Sequence, residues 1–435
     1  MSMLEKRENV RGRCLLVGLA CDSTADFENS DEITMAELAE LVKTAGGETV
    51  MTAMQNKHTP DPHTFIGEGK AAELKELIAA NEIDLTIVDN ELSPSQSRAL
   101  EEALSCRVID RSGLILDIFA DRARTAEGKL QVELAQYQYL LPRLTGMWTH
   151  LVRQTASGGS SPIGTRGPGE TLLETDRRHI RRKMQRLQED IRDLQRIRAT
   201  QRSKREKNEI PLICIVGYTN AGKSTLLNAL TGAEVHAADR LFDTLDPTTR
   251  LLHTQQMGDL LFSDTVGFIR KLPHHLIDAF RSTLEELTYA DVLLHVVDAS
   301  DEQWRLQSQV VEELISQLGA EKTPRILNLT QADRLREDQQ PRESGALLCS
   351  ALKGLGLEQL VDRICQVLGE NLHTVDFVLP YAQAQLLDYL YRAANVRRAD
   401  YVETGIHVEA VVDEKVFGRL QEVLPPEQRR KHEEF

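Results

Sequence analysis

The residues Gly217-Tyr218-Thr219-Asn220-Ala221-Gly222-Lys223-Ser224 decide the fold, because they fit the phosphate-binding pattern GxxxxGK[ST]. They follow an apolar stretch at 212–216 that predicts a strand, and they precede a helical pattern at 224–230. In that setting a glycine-rich turn lets backbone N–H groups surround phosphate oxygens at a helix N-terminus. Lys223 is predicted to contact the β and γ phosphates, and the Ser224 hydroxyl to bind Mg²⁺. The chain is therefore predicted to contain a P-loop nucleotide-binding domain.

Two further segments complete the predicted phosphate site. Asp264-Thr265-Val266-Gly267 ends a predicted strand, so the Asp264 carboxylate can hold Mg²⁺ through water and the Gly267 N–H can bond the γ phosphate. Residues 241–249, which read LFDTLDPTT, form a hydroxyl-rich loop between the two motifs. One threonine of this loop is expected to join the Mg²⁺ shell only when a γ phosphate is present, which would make the loop a switch. The residues alone leave three candidates open, namely Thr244, Thr248 and Thr249.

A third segment predicts which base is bound. Thr330-Gln331-Ala332-Asp333 follows a predicted strand at 325–329, and Asp333 can accept hydrogen bonds from two guanine donors that adenine lacks. GTPases usually have NKxD here, and the Lys covers the base, so Gln331 predicts weaker binding. Ser350-Ala351-Leu352, after another strand, matches the loop whose backbone contacts guanine O6. The predicted ligands are GTP and GDP.

Composition excludes several classes of protein. The chain has 435 residues, of which 41% are hydrophobic and 27% charged, which is typical of a folded, soluble protein of about two to four domains. No stretch approaches the ~18 apolar residues of a membrane span. The six cysteines are scattered without a CxxC pair, which argues against a disulfide framework or a zinc site and favours a cytoplasmic location.

Strand and helix patterns divide the chain into four regions. Residues 1–125 alternate strands and helices and predict an N-terminal α/β domain. Residues 126–208 predict a helical arm with a Gly-rich loop and a basic coiled-coil hairpin, 209–370 a P-loop GTPase domain with a mostly parallel sheet, and 371–435 a small C-terminal α+β domain. In the arm, apolar residues recur at heptad spacing: Ile180, Met184, Leu187, Ile191 and Leu194.

The charge is unevenly distributed. The net charge is −15, yet residues 166–207 carry 14 basic and 7 acidic residues, a local balance of +7. A basic stripe of this kind is able to meet the phosphates of RNA. A solvated helix face is the alternative, because charge runs are common on exposed helices.

The motifs GYTNAGKST, LFDTLDPTTR, DTVGFIRKLP and ADVLLHVVDASDEQ together resemble the HflX family of ribosome-associated GTPases. Residues 65–70 (FIGEGK) and 163–178 (IGTRGPGETLLETDRR) are similar to that family's N-terminal signatures, so the resemblance covers residues 13–370. The chain departs from the pattern at TQAD, which replaces NKxD. The resemblance implies that Thr244 is the switch threonine.

Motifs and resemblance together give the candidate site. Catalysis is assigned to Lys223, Thr244, Asp264 and Gly267, and Mg²⁺ binding to Ser224, Thr244 and Asp264. The expected nucleotide contacts are Gly217, Tyr218, Thr219, Asn220, Ala221, Gly222, Lys223, Ser224, Thr225, Phe242, Asp243, Thr244, Asp264, Thr265, Val266, Gly267, Thr330, Gln331, Ala332, Asp333, Ser350, Ala351 and Leu352.

The resemblance implies GTP hydrolysis to GDP and phosphate, binding to the large ribosomal subunit and its rRNA, and splitting of stalled or vacant ribosomes. Phe268 stands where many GTPases have a Gln that orients water, so hydrolysis is expected to need the ribosome. The alternatives are a nucleotide-sensing ribosome- or RNA-binding factor with little GTPase activity, and a GTPase of RNA modification or signalling. Asn220 either holds K⁺ or bonds its own turn. Gly67-Glu68-Gly69-Lys70 either meets ATP, as in the family, or forms a simple turn. A monomer is expected.

Overall fold

The computed structural model describes residues 12–21, 30–144, 168–207, 210–233, 240–273, 276–277, 284–335, 343–370, 372–420 and 423–425. Most of the predicted Gly-rich loop, at 157–167, lies outside these ranges, and so does the charged C-terminal segment 427–435. Within the described part of the chain, every helix is too short or too polar to span a lipid bilayer.

The N-terminal domain is built on four parallel strands in the order β2-β1-β3-β4. Their bounds are Arg13–Cys21 (β1), Glu48–Lys57 (β2), Leu85–Val88 (β3) and Arg107–Asp110 (β4). Alternating residues of β1 face two apolar layers, because successive strand side chains point to opposite sides. Helices cover both faces: Glu32–Thr44 (α1), Glu68–Ala80 (α2), Pro94–Leu104 (α3) and Arg111–Arg122 (α4). The predicted α/β layer structure is confirmed.

Helix α4 has no counterpart in the sequence-based prediction. It begins directly after β4, with Asp110 capping it by accepting a hydrogen bond from the Gly113 N–H. Its residues are buried on nearly every side. Only Asp117 and Asp121, one turn apart, are exposed, and so narrow a polar stripe gives a weak version of the periodicity by which helices are recognised.

Two long helices form the arm. Ala126–Arg143 (α5) and Pro168–Lys207 (α6) lie side by side, with Leu134 and Tyr137 packed against Leu187 and Ile191. Glu127, at the start of α5, pairs with Arg198 near the end of α6. Glu133, in the middle of α5, pairs with Lys183 in the middle of α6. The two helices are therefore antiparallel, and four of the five predicted heptad residues, Ile180, Met184, Leu187 and Ile191, lie in their contact.

The P-loop domain contains a six-stranded sheet in the order β10-β9-β8-β5-β7-β6. Its strands are Leu212–Gly217 (β5), Thr248–Thr254 (β6), Gly258–Asp264 (β7), Val292–Asp298 (β8), Arg325–Thr330 (β9) and Leu347–Leu348 (β10). Among the described strands of this sheet, only the edge strand β6 runs antiparallel to its neighbour, so the predicted mostly parallel sheet is confirmed. The accompanying helices are Lys223–Thr231 (α7), Trp304–Gln317 (α8) and Leu357–Glu370 (α9). Because β5 is central and fully buried, the phosphate loop leaves the middle of the sheet at its carboxyl edge.

A small α+β unit follows. Strands Leu372–Leu379 (β11), Asn395–Val402 (β12) and Gly405–Asp413 (β13) form an antiparallel sheet in the order β11-β13-β12. Helices Gln385–Ala393 (α10) and Glu414–Leu420 (α11) contribute to its separate apolar core.

Candidate functional site

The phosphate loop connects β5 to α7 under tight steric constraints. A Cβ on Gly217 would overlap the Val296 carbonyl of β8, so this position requires glycine. Asn220 and Gly222 have φ values of +63° and +87°, the left-handed conformation that Gly, and to a smaller extent Asn, tolerates. No side chain caps α7, whose N-cap is Gly222. A helix N-terminus of this kind is a favourable site for an anion.

A cavity opens at this N-terminus. It is lined by residues of the phosphate loop, of the segment 240–244 and of the turn after β7: Thr219, Asn220, Gly222, Lys223, Ser224, Thr225, Arg240, Phe242, Asp243, Thr244 and Gly267. Ten of these belong to the predicted nucleotide contacts. Arg240 was not predicted, although its position directly before the hydroxyl-rich loop suggests a cation near the phosphates.

Three oxygen-bearing side chains converge beside the cavity. Ser224 Oγ lies 2.8 Å from Thr244 Oγ1 and donates to Asp264 Oδ2 at 2.5 Å. The second carboxylate oxygen, Asp264 Oδ1, is buried and has no hydrogen-bond partner among the described residues. Oxygen ligands with one carboxylate suit Mg²⁺, which usually takes its remaining ligands from water and phosphates. The residues present therefore fit this ion. Thr249, by contrast, donates to Ser263.

Lys223 is the buried cation of the site. Its Nζ donates to the Tyr218 carbonyl at 2.7 Å. Burial lowers the pKa of Lys223 to about 8, although the Asp264 charge opposes this shift. Burial also raises the pKa of Asp264, against the charge of Lys223. A Cβ on Gly267 would lie 2.9 Å from Lys223 Nζ, so glycine leaves the space that the ammonium group occupies.

The predicted base-recognition residues are tied to the phosphate loop. Thr330 Oγ1 donates to the Ala221 carbonyl at 2.8 Å. Gln331 adopts a φ of +58° and its Nε2 donates to Asp298 Oδ2 at 2.6 Å. Ser350 Oγ donates to Asp333 Oδ1 at 2.5 Å. The structure thus joins the TQAD segment to the Ser350 loop on one side and to the phosphate loop on the other, while Leu352 is exposed.

Other predicted contacts have side chains engaged elsewhere. Tyr218 donates its hydroxyl proton to Glu37 of the N-terminal domain and accepts from the Arg270 N–H at 2.8 Å. Thr265 Oγ1 donates to the Ile215 carbonyl. The Phe242 ring meets the Phe119 ring edge-on, with centroids 4.8 Å apart. Tyr218 and Thr265 can therefore contact a nucleotide only through their backbone. Phe242 still borders the cavity.

A buried charge network joins the nucleotide loops to the N-terminal domain. Arg111 is 1% exposed; it binds Asp89 at 2.7 Å, Glu37, and the Arg270 carbonyl. Lys271 also binds Asp89. Burial raises the pKa of Glu37 although Arg111 opposes the shift, whereas the charges of Arg111 and Lys271 overcome burial and lower the pKa of Asp89. Glu37, Asp89 and Arg111 lie outside every motif that predicts the nucleotide site.

Comparison with family models gives three consecutive matches. Residues 32–120 match "GTP-binding GTPase N-terminal", 122–205 match "GTP-binding GTPase Middle Region", and 212–331 match "50S ribosome-binding GTPase".

Curated relatives align over most of the chain. The GTPase HflX of Caldanaerobacter subterraneus is 46% identical over 394 residues, which is 91% of each chain. That of Escherichia coli is 42% identical over 385 residues, 87% of this chain and 89% of its own. A solved structure, a GTP-binding protein from Sulfolobus solfataricus in complex with GDP, is 24% identical with a TM-score of 0.40, covering 82% of this chain and 99% of that one.

Proposed function

Since the chain belongs to the HflX family of GTPases and is a GTP-binding, GTP-hydrolysing enzyme, we propose that it binds the large ribosomal subunit and its rRNA and splits stalled or vacant ribosomes. The observation that carries this proposal is the match of residues 212–331 to the model described as a 50S ribosome-binding GTPase. We further propose that residues 1–125, 126–208, 209–370 and 371–435 form four domains, and that the protein is cytoplasmic and monomeric.

We assign the chemistry to the residues around the cavity. Lys223 and the backbone N–H groups of the phosphate loop bind the β and γ phosphates, and the Gly267 N–H bonds the γ phosphate. Ser224, Thr244 and Asp264 hold Mg²⁺, which when bound neutralises charge on the phosphate oxygens. Asp333 selects guanine, and Ser350, whose hydroxyl donates to Asp333, orients its carboxylate.

Phe268 supports a dependence on the ribosome. The side chain is 1% exposed, and its backbone N–H and carbonyl are bonded to Gly217 and Thr219. A buried apolar ring has no group to orient the attacking water, so we infer that isolated protein turns over slowly. A partner that supplies the missing group would accelerate hydrolysis.

Helix α6 supplies the charge for an RNA contact. Arg178, Arg181 and Arg182 are exposed and lie three and four residues apart, hence on one face of the helix. Reversing these three charges is expected to weaken subunit binding at least tenfold. The matched control reverses Lys43, Lys75 and Arg250, which are exposed on other elements. Equal effects of the two triple variants would favour the reading of α6 as a solvated face.

The test of the whole proposal is GTP hydrolysis by the purified protein with and without large ribosomal subunits. A stimulation of roughly tenfold, about 1.4 kcal/mol of barrier, supports it. Subunit binding without stimulation would favour the alternative, a nucleotide-sensing factor with little GTPase activity. Under that alternative Lys223→Ala leaves ribosome splitting intact.

Three finer proposals remain. For K⁺ beside Asn220, the test is a comparison of hydrolysis rates in KCl and NaCl, and equal rates exclude it. For ATP at Gly67-Glu68-Gly69-Lys70, the test is equilibrium dialysis. There the Gly67 N–H donates to Gln55 and Lys70 pairs with Glu73, contacts that a simple turn between β2 and α2 already explains. For the monomer, light scattering of the purified protein gives the answer.

A further inference from the structure

Asp246 connects the hydroxyl-rich loop, residues 241–249, to the first turn of the arm helix α5. Its carboxylate accepts hydrogen bonds from the backbone N–H groups of Arg124 at 2.8 Å and Thr125 at 2.9 Å, and from the Thr125 hydroxyl. Thr125 is itself the N-cap of α5, because its Oγ1 accepts from the Gly128 N–H at 2.9 Å. Asp246 therefore places a negative charge at a helix N-terminus, where the helix dipole favours it.

The fit between the loop and α5 is close. A Cβ on Gly128 would overlap Asp246 Oδ1. Beside this contact, Leu245 is buried and Phe242 packs on Phe119 of α4. The loop is thus attached both to α4, through Phe242, and to the start of α5, through Asp246.

The same loop reaches the candidate Mg²⁺ site two residues earlier. Thr244 Oγ1 lies 2.8 Å from Ser224 Oγ at the start of α7. Between Thr244 and Asp246 there is one residue, the buried Leu245. A movement of Thr244 toward or away from the phosphate site therefore displaces Asp246 unless the backbone between them distorts.

We propose that Asp246 is a positioning residue that couples the occupant of the nucleotide site to the arm. With a γ phosphate bound, Thr244 is held inward and Asp246 caps α5. With GDP, the loop is released and α5 loses this cap. The coupling is reciprocal, so an intact Asp246–α5 contact raises the affinity for the triphosphate relative to GDP. The proposal rests on the role assigned above to Thr244, but not on ribosome binding.

Amide hydrogen exchange of the full-length protein tests this directly, because two of the protecting bonds come from backbone N–H groups. In the wild type, we expect Arg124 and Thr125 to exchange at least tenfold more slowly with guanosine 5′-[β,γ-imido]triphosphate than with GDP. In Asp246→Ala, exchange is expected to be fast with both nucleotides. The Kd of the analogue rises at least fivefold, while that of GDP stays within twofold.

Gly128→Ala provides a second variant that keeps Asp246 in the sequence. Its Cβ would overlap Asp246 Oδ1 and lie 3.1 Å from the N-cap oxygen Thr125 Oγ1, while alanine is the better helix former. We therefore expect Gly128→Ala to displace Asp246 and to have the effects of Asp246→Ala while α5 stays helical. The matched control, Asp259→Ala, removes an exposed carboxylate of the β6–β7 hairpin that pairs with His253 and is expected to change neither quantity. Equal protection of Arg124 and Thr125 with both nucleotides in the wild type would overturn the proposal. So would an equal loss of affinity for both nucleotides in Asp246→Ala.

Discussion

At the scale of single residues, the position of Thr244 separates it from Thr249 of the same loop. Its hydroxyl lies beside Ser224, whereas Thr249 donates to Ser263 on β7. We predict that Thr244→Val lowers kcat for GTP hydrolysis roughly tenfold or more, about 1.4 kcal/mol, because a ligand of the phosphate site is removed. Thr249→Val is the matched control and should stay within twofold. Steady-state phosphate release at saturating GTP measures both, and a comparable loss in Thr249→Val would contradict the assignment.

Thr330 connects the base-recognition segment to the phosphate loop. Its buried hydroxyl donates to the Ala221 carbonyl of the phosphate loop. Thr330→Val removes this donor and leaves a buried acceptor with one bond fewer, at a cost of about 1 kcal/mol. We therefore expect about fivefold weaker GDP binding, measured by titration with a fluorescent GDP analogue. Thr330→Ser retains the hydroxyl and should bind GDP within twofold of the wild type. Weaker binding by both variants would show that the methyl group matters instead.

The site residues that the sequence located are those fixed by local motifs. GxxxxGK[ST] predicts where the backbone must turn, and the turn itself places Lys223 and Ser224 at the start of α7. Arg111 and Glu37 could not be found this way. They lie far along the chain from Tyr218 and Arg270, and their partners are set by how two sheets pack, which no local pattern encodes.

At the scale of secondary structure elements, a helix with one apolar stripe is easier to predict from sequence than a helix that is buried on most sides. Helix α6 has one apolar stripe among charged residues, so its contact with α5 follows from spacing. Helix α4 is buried on nearly all sides and gives no such stripe. Strand bounds agree closely, because apolar runs end where turns begin: the strands predicted at 212–216 and 325–329 are Leu212–Gly217 and Arg325–Thr330, each one residue longer.

The contact between α5 and α6 is expected to stabilise the arm. Leu187 is 5% exposed against Leu134 and Tyr137, whereas Ile197 of the same helix is 55% exposed. Leu187→Ala is expected to cost about 2–4 kcal/mol because it leaves a cavity. Ile197→Ala should change stability by about 0.5 kcal/mol or less. Proteolytic cleavage within the arm, followed at rising urea concentration, reports local opening in a protein of several domains. Equal sensitivity of the two variants would argue against this contact as the main support of the arm.

At the scale of the whole molecule, the N-terminal and P-loop domains share a core. One apolar cluster continues from Leu38 of α1 through Phe119 of α4 to Phe242 and Phe268 beside the nucleotide loops. The charge network of Glu37, Asp89, Arg111 and Lys271 lies across the same boundary. Apolar packing gives this interface its area, and the ion pairs restrict it to one arrangement, since a shift would leave buried charges without partners.

Arg111 is the cation that Glu37 and Asp89 share in this network. It is buried and pairs with both Glu37 and Asp89, whose side chains are 12% and 0% exposed, so Arg111→Met leaves one buried and one largely buried carboxylate short of a cation. Breaking a buried pair from one side costs about 3–5 kcal/mol. Arg325→Met is the control, because Arg325 pairs with Glu312 at the partly exposed surface, where a pair contributes about 0–1 kcal/mol. The midpoint of thermal unfolding, measured by calorimetry at pH 8, should fall far more in Arg111→Met than in Arg325→Met.

The loss in Arg111→Met should also depend on pH. In the wild type, burial already raises the pKa of Glu37 while Arg111 opposes the shift, so removing Arg111 raises that pKa further. An acid whose pKa is higher in the folded than in the unfolded state binds its proton more tightly when folded. The fold is therefore favoured at low pH and loses stability as the pH rises above the ordinary Glu pKa. We expect the difference in midpoint between Arg111→Met and the wild type to be smaller at pH 5.5 than at pH 8. Adding Glu37→Gln to the variant should remove much of this dependence, whereas an unchanged pH dependence in the double variant would place the stranded charge elsewhere.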